Sequence, residues 1–311
     1  MTEKMNVTQG LPELHLHLDG SLREITLREL AAREGVELPG RLSFSPGMGL
    51  SEALALFSHT LSVLQSTENL RRVADEICLD ARADGVSTLE IRFAPHLHTV
   101  LGLRVEDVVD AVLEGIDDRA GLILCGLYED DPARLMQCVE VARTRPGVVG
   151  IDLAGGPTSD RMTDPFEVHR QAFLRARSLG IGRTVHAAEG RPPEETIRAV
   201  TGLHADRIGH GTTLLTDPKA AQVVLEHDVT IEACITSNWH VGAIGKPEDH
   251  PFARWYDRGV RFAFSADNSL FSRTTTAGEY RLAAEILGEE SSAQSILDWA
   301  KQCGHAARFI R

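Results

Sequence analysis

The sequence predicts an α/β fold, a (β/α)8 TIM barrel with a helical insertion after its first strand. Three observations carry that expectation. Short apolar runs recur eight times along the chain. Helical spacing fills most of the gaps between them, and strands that alternate with helices pair in parallel through right-handed crossovers. No G-x-G-x-x-G turn follows the first run, which argues against an open doubly wound sheet.

The first run is ELHLHL (13–18) and the second is VSTLEIRF (86–93). About 70 residues separate them, enough for several helices that would cap one mouth of the barrel. Within that gap, Leu70 to Ile77 spaces its apolar residues three and four apart, as a helix requires. GRLSFSPGMG (40–49) is turn-rich and reads as a loop. GLILCGLY (121–128) and VVGIDLAG (148–155) flank a helical pattern over Ala133 to Arg143. A second such pattern, Phe166 to Ser178, leads into GRTVHAA (182–188) and RIGHG (207–211). Thr216-Asp217-Pro218, followed by AAQVVLEH, reads as a helix start with proline in the first turn. VTIEACI (229–235) and VRFAFSA (260–266) complete the set.

Nothing in the composition divides the chain, so residues 1–311 are expected to form one barrel domain. Hydrophobic residues make up 42% and charged residues 25%, an ordinary globular balance. The net charge of -13 speaks against nucleic acid, because phosphate binding needs a basic footprint. Five cysteines without a CxxC pair make neither a disulfide framework nor a thiolate zinc site. MTEKMNVTQG lacks the apolar run of a secretory signal, and no stretch reaches the ~18 apolar residues of a membrane span. A cytoplasmic location is the expectation, with no membrane partner. The oligomeric state is open.

ELHLHLDGS (13–21) alternates leucine with ionisable residues. A strand sends alternate side chains to opposite faces. Leu14, Leu16 and Leu18 would then pack outward on helices, while Glu13, His15, His17 and Asp19 face the barrel axis. His15 and His17, two apart on one face, suit a metal ion, although a polar strand face has the same spacing. Barrel active sites lie at the C-terminal ends of the strands. Those ends carry Glu90 and Arg92, Gly155 and Gly156, His186 and Glu189, His210, Ser237 and Asn238, and Asp267 and Asn268. Glu13 lies deepest, where a structural hydrogen bond at the barrel floor is expected.

ELHLHLDGS, LEIRFAPHL (89–97), IDLAG (151–155), HAAE (186–189), RIGHGT (207–212), Thr236-Ser237-Asn238 and SADN (265–268) occur in this order over nearly the whole chain. Together they resemble the adenosine deaminase family of the amidohydrolase superfamily. The resemblance implies zinc-dependent hydrolytic deamination of an adenosine-type purine nucleoside, giving the inosine-type product and ammonia. It matches His15, His17, His186 and Asp267 to the ligands of one zinc ion per chain. Glu189 matches the acid that protonates the ring nitrogen beside the reacting carbon. His210 matches the histidine that orients the attacking water, and Asp267 joins both in the catalytic group. Gly155 matches a backbone contact to the purine, Asp19 a contact on the sugar side, and His17 also borders the substrate. The four lysines (4, 219, 246, 301) avoid every strand candidate, so a second metal bridged by a modified lysine is not expected.

The chain departs from the family at several places. Asp267-Asn268 stands where two aspartates are usual; Asn268 can donate to a purine N7 through its amide. Gly156-Pro157 replaces an acidic pair, Tyr128-Glu129 an arginine-histidine pair, and Val241 a threonine. These changes suggest retained chemistry with an altered substrate side. A modified adenosine (aminodeoxyfutalosine) and free adenine are therefore the alternatives. A zinc hydrolase of cyclic amides is the alternative class, and Glu189 separates the two, since an amide carbonyl does not need that proton donor. A purine-binding protein without catalysis conflicts with the intact ligand set. His96 and His98 read as a loop at the barrel mouth, with a second metal site as the other reading. His240 and Phe57 are open between pocket and core.

Overall fold

The computed structural model describes residues 8–157, 164–289 and 291–310. All eight expected runs form strands. They are β1 (Leu11–His17), β2 (Val86–Phe93), β3 (Gly121–Leu127), β4 (Val148–Ala154), β5 (Gly182–Ala187), β6 (Arg207–His210), β7 (Thr230–Ala233) and β8 (Arg261–Phe264). Neighbours in sequence are neighbours in the sheet, and every pair is parallel. The result is a nearly closed (β/α)8 barrel.

The gap between β1 and β2 holds α1 (Glu24–Glu34), α2 (Leu50–Val63) and α3 (Thr67–Ala83). These are the expected insertion, and residues 40–49 form its loop. The remaining helices are α4 (Val105–Ile116), α5 (Pro132–Arg143), α6 (Pro165–Ser178), α7 (Glu194–Gly202), α8 (Pro218–Glu226), α9 (Ile235–His240), α10 (Phe252–Asp257), α11 (Ser269–Ser272), α12 (Thr276–Leu287) and α13 (Ala293–Ala307). Helices α5, α6 and α8 start alike. Asp131, Asp164 and Asp217 each accept a hydrogen bond from a first-turn amide, and a proline follows whose missing N–H costs nothing there. None of the described helices is long and apolar enough to cross a membrane.

Leu14, Leu16 and Leu18 are all buried, as the alternation requires. Glu13 behaves differently. The β1–β2 register shifts between Glu13 and Leu16, which breaks strict alternation. The Glu13 carboxylate accepts from Ala266 N (2.9 Å), Thr276 Oγ1 (2.7 Å) and His15 N (2.8 Å). It therefore ties β1 to the end of β8 instead of standing at the floor. A ladder between β1 and β8 is nearly missing: Leu16 and Asp267 make an isolated bridge. There His17 N donates to Asp267 O (2.8 Å), and Asp267 N donates to His15 O (2.9 Å).

Candidate functional site

Most of the strand ends deliver polar side chains to one cavity of about 240 Å3, but Glu90 and Arg92 do not line it: Glu90 binds Arg207, and Arg92 binds Asp152 and Glu232. His17, Asp19, Gly155, His186, Glu189, His210, Asp267 and Asn268 all line it. Helix α2 supplies the opposite wall through Leu50, Ala53, Leu54, Phe57 and Leu61. Phe57 is thus a pocket residue. His240 instead packs edge-on against Phe44, which itself lines the cavity.

Four side chains converge at the base. His17 Nε2 lies 3.3 Å from both His186 Nε2 and Asp267 Oδ1. His15 Nε2 lies 3.4 Å from Asp267 Oδ1 and has no hydrogen-bond partner although it is buried. A tetrahedral site with bonds of about 2.0–2.1 Å has donor-to-donor edges of about 3.3 Å, so the spacing suits zinc. His210 lies near the same cluster. Among the described residues, the candidate metal-holding groups share this one centre. His96 and His98 do not form another: His96 Nε2 sits 3.1 Å from Asp130 Oδ2, and His98 Nδ1 donates to Leu64 O (2.8 Å).

The ring nitrogens of His15 and His186 that face away from the cluster are each fixed by a carboxylate. His15 Nδ1 donates to Glu232 Oε2 (2.6 Å), and His186 Nδ1 lies 3.0 Å from Asp152 Oδ2. Such contacts set the tautomer, leaving Nε2 as the ligand atom. Arg92 couples the two acids, with Nη1 on Asp152 (2.8 Å) and Nη2 on Glu232 (2.8 Å). Asp152, Glu232 and Arg92 are fully buried, and a buried charge persists only with partners. Sequence reading left Asp152 and Glu232 without a role. The available signal was an acid inside an otherwise apolar strand.

Protonation follows the surroundings. Burial lowers the pKa of His17, His186 and His210, so their rings are neutral and able to bind metal. Burial and Arg92 oppose a charge on His15, but the neighbouring carboxylates of Asp267 and Glu232 outweigh them and raise it to about 9. Burial would raise Asp267; the proximity of His15, and then of His17 and His210, instead holds it well below the usual carboxylate range. A cation is therefore favoured among these ligands.

Glu189 behaves oppositely. Burial raises its pKa to about 7, partly opposed by Arg191. Its Oε1 lies 3.5 Å from His210 Nδ1. Asn238 Nδ2 touches both groups, 2.9 Å from His210 Nδ1 and 3.4 Å from Glu189 Oε1. Asn238 was noticed in sequence only as a strand-end residue. His210 (φ 73°) and Asp267 (φ 62°) both hold left-handed backbone conformations, a strain that clusters at functional sites.

The departures sort by position. Asn268 and Val241 line the cavity, and the Oδ1 of Asn268 lies where a Cβ on Gly20 would be, 2.0 Å from it. Tyr128 does not line the cavity. Its hydroxyl donates to the carbonyl of His186, and Arg191 Nη2 donates to the same oxygen (3.2 Å). Gly156 lies under Arg191, whose Nη1 would be 2.4 Å from a Cβ there. Tyr128 and Gly156 therefore shape the support of β5.

A family model described as adenosine deaminase matches residues 11–303. The adenosine deaminase of Clostridium acetobutylicum is 36% identical over 291 residues, covering 88% of this chain and 86% of that protein. Two solved structures share the fold. The adenine deaminase of Arthrobacter aurescens superposes with a TM-score of 0.86 at 22% identity, covering 97% of this chain and 94% of that one. The N6-mAMP deaminase of Arabidopsis does so with a TM-score of 0.85 at 24% identity, covering 98% and 95%. The barrel, the strand-end cluster and the match over nearly the whole chain agree: this protein belongs to the adenosine deaminase family, whose members are metal-dependent hydrolytic deaminases.

Proposed function

We propose that the chain deaminates an adenosine-type purine nucleoside with one zinc ion, held by His15, His17, His186 and Asp267. The observation that carries the reading is Glu189, a carboxyl raised to about 7, beside His210 in the cavity that holds the ligand cluster. Zinc there would supply a Lewis acid that brings the ionisation of a bound water near neutrality. Attack at the amino-bearing carbon pushes electrons onto the adjacent ring nitrogen. Protonated Glu189 delivers its proton to that nitrogen and becomes the carboxylate, for which Arg191 Nη1, 3.8 Å away, is a favourable neighbour. His210, held by Asn238, orients the incoming water. His210 also takes the proton that the water loses and passes it to the amino group of the tetrahedral carbon. That group leaves as ammonia as the C–N bond breaks, while the new hydroxyl returns its proton to Glu189 and becomes the carbonyl. Gly155 and Asn268 face the purine, Asp19 faces the sugar, and His17 borders both.

The lining favours a nucleoside over a nucleotide. Among the described residues, no lysine or arginine lines the cavity, while Asp19, Glu189 and Asp267 do. A phosphate dianion would find no lysine or arginine on that lining. The apolar wall from α2 keeps a second reading open: an adenosine whose sugar carries an apolar group.

The test is zinc analysis, followed by ultraviolet spectra of adenosine, adenine, methylthioadenosine, aminodeoxyfutalosine and AMP incubated with the enzyme. The reading expects bound zinc and a spectral shift with one of the nucleosides. Turnover confined to AMP or to adenine would refute it.

A further inference from the structure

The floor of the barrel, opposite the cavity, is closed by the stretch after α13. Phe309 lays its ring over the guanidinium of Arg207, with Cζ 3.7 Å from the ring centroid. Its backbone amide donates to Glu90 Oε1 (2.6 Å). The seat excludes a side chain beneath it: a Cβ on Gly182 would come within 2.3 Å of the ring. Arg207 is 1% exposed, so each of its donors needs a partner inside the protein. Nη2 donates to Glu90 Oε2 (2.5 Å), Nη1 to Ala307 O (3.0 Å) and Nε to Glu232 Oε1 (2.7 Å). The other oxygen of Glu232 holds His15 Nδ1 (2.6 Å). One continuous path thus runs from the floor to a ligand ring.

We propose that Phe309 is a positioning residue for the metal centre: by holding Arg207 flat beneath the barrel it fixes Glu232, and through Glu232 the ring of His15. Arginine has many rotamers, and its planar head keeps one orientation only when a face is stacked or its donors are all engaged. Without the ring, water reaches Arg207 and the bond from Nε to Glu232 competes with hydration. Glu232 then keeps Thr184 Oγ1 (3.0 Å) and Arg92 Nη2 (2.8 Å) but loses its anchor on Arg207, and the angle at which it holds His15 loosens. The path differs from the one through Arg92, which approaches Glu232 from the neighbouring Asp152.

The proposal rests on the metal reading of the ligand cluster, and the experiment separates the two. Zinc-loaded full-length wild type is compared with Phe309→Ala, Phe309→Leu and Phe309→Tyr. The rate of zinc transfer to a colorimetric chelator is measured beside the melting temperature. Contacts one shell out from a metal change its affinity by about 10- to 100-fold, so a residue one step further should speed release by about 3- to 10-fold. Phe309→Ala and Phe309→Leu should show that acceleration, because leucine fills space without stacking. Phe309→Tyr should release zinc like wild type. Gly182→Ala, which crowds the ring from below, should behave like Phe309→Ala. If Phe309→Ala does not fold, Phe309→Leu carries the comparison. Wild-type release rates in the variants lacking the stack, whatever their melting temperatures, would overturn the proposal. A wild type that binds no zinc would overturn the metal reading with it.

Discussion

His17 donates its backbone amide to the carbonyl of Asp267 at 2.8 Å, and the side chains of the same two residues meet at 3.3 Å in the ligand cluster. The seam between the first and last strands is therefore closed where the candidate metal ligands converge. A zinc ion bound there spans that seam as well as the site. Removing it should loosen β1 and β8 before the rest of the barrel. Hydrogen exchange of the His17 and Asp267 amides should accelerate in chelator-treated protein, while β3 and β4 stay protected. At free zinc about 100 times Kd, binding adds about 2.7 kcal/mol, so the melting temperature should rise with zinc. Uniform exchange across all strands would refute the seam role.

Glu189→Gln should keep the metal and lower kcat by about 100- to 10,000-fold, the usual share of a positioned proton donor. In wild type, kcat/KM should fall as pH rises through about 7, because Glu189 acts in its protonated form. Full activity in the variant, with zinc bound, would remove Glu189 from the mechanism.

Glu232→Gln and Asp152→Asn each leave a ligand histidine without its carboxylate. Zinc affinity should drop by about 10- to 100-fold in both. Competition with a chelator of known affinity measures it.

Gly20→Ala should disturb the substrate side without touching the metal. A Cβ at Gly20 would push Asn268 from its place. Losing one hydrogen bond to the purine costs about 0.5–1.5 kcal/mol, so KM should rise roughly 2- to 10-fold with zinc content unchanged. Asn268→Asp should make the substrate preference pH-dependent, because a carboxylate can donate to a ring acceptor only when protonated.

Glu279 gives a stability prediction away from the metal. Burial raises its pKa to about 7 from an ordinary 4.5, against hydrogen bonds from Thr236 and Thr274. The folded state holds this proton more tightly than the unfolded chain. Its effect on stability is therefore constant below about 4.5, declines as pH rises, and levels off above about 7, a change of about 3 kcal/mol. Glu279→Gln should remove that decline, and melting curves at pH 5 and 8 test it. Equal pH slopes for both proteins would refute it.

The strands and the convergence of the candidate ligands were legible because each rule behind them is local. Alternation placed His15 and His17 on one face, and apolar runs placed His186 and Asp267 at strand ends. Glu13 makes the structural hydrogen bonds expected of it, but to Ala266 and Thr276 and not at the floor, beside a register shift that periodicity does not show. Asp152 and Glu232 escaped because their meaning lies in partners on other strands. Tyr128 looked like a substrate residue from its position after β3, yet it holds the carbonyl of His186 from outside the cavity. Phe309 sits in no periodic segment, and only the closed barrel gives it a partner.

Helix α2 contributes Leu50, Ala53, Leu54, Phe57 and Leu61 to the cavity but none of the ligand cluster. The apolar share of the cavity wall is thereby written in a stretch of the chain separate from the candidate ligands. The insertion between β1 and β2 can drift in sequence, lengthen or be exchanged for another while the chemistry beneath it is conserved. Diversification of substrate range in a lineage built this way should leave its record in residues 50–61, and a chimaera carrying a relative's α2 is the means to read it.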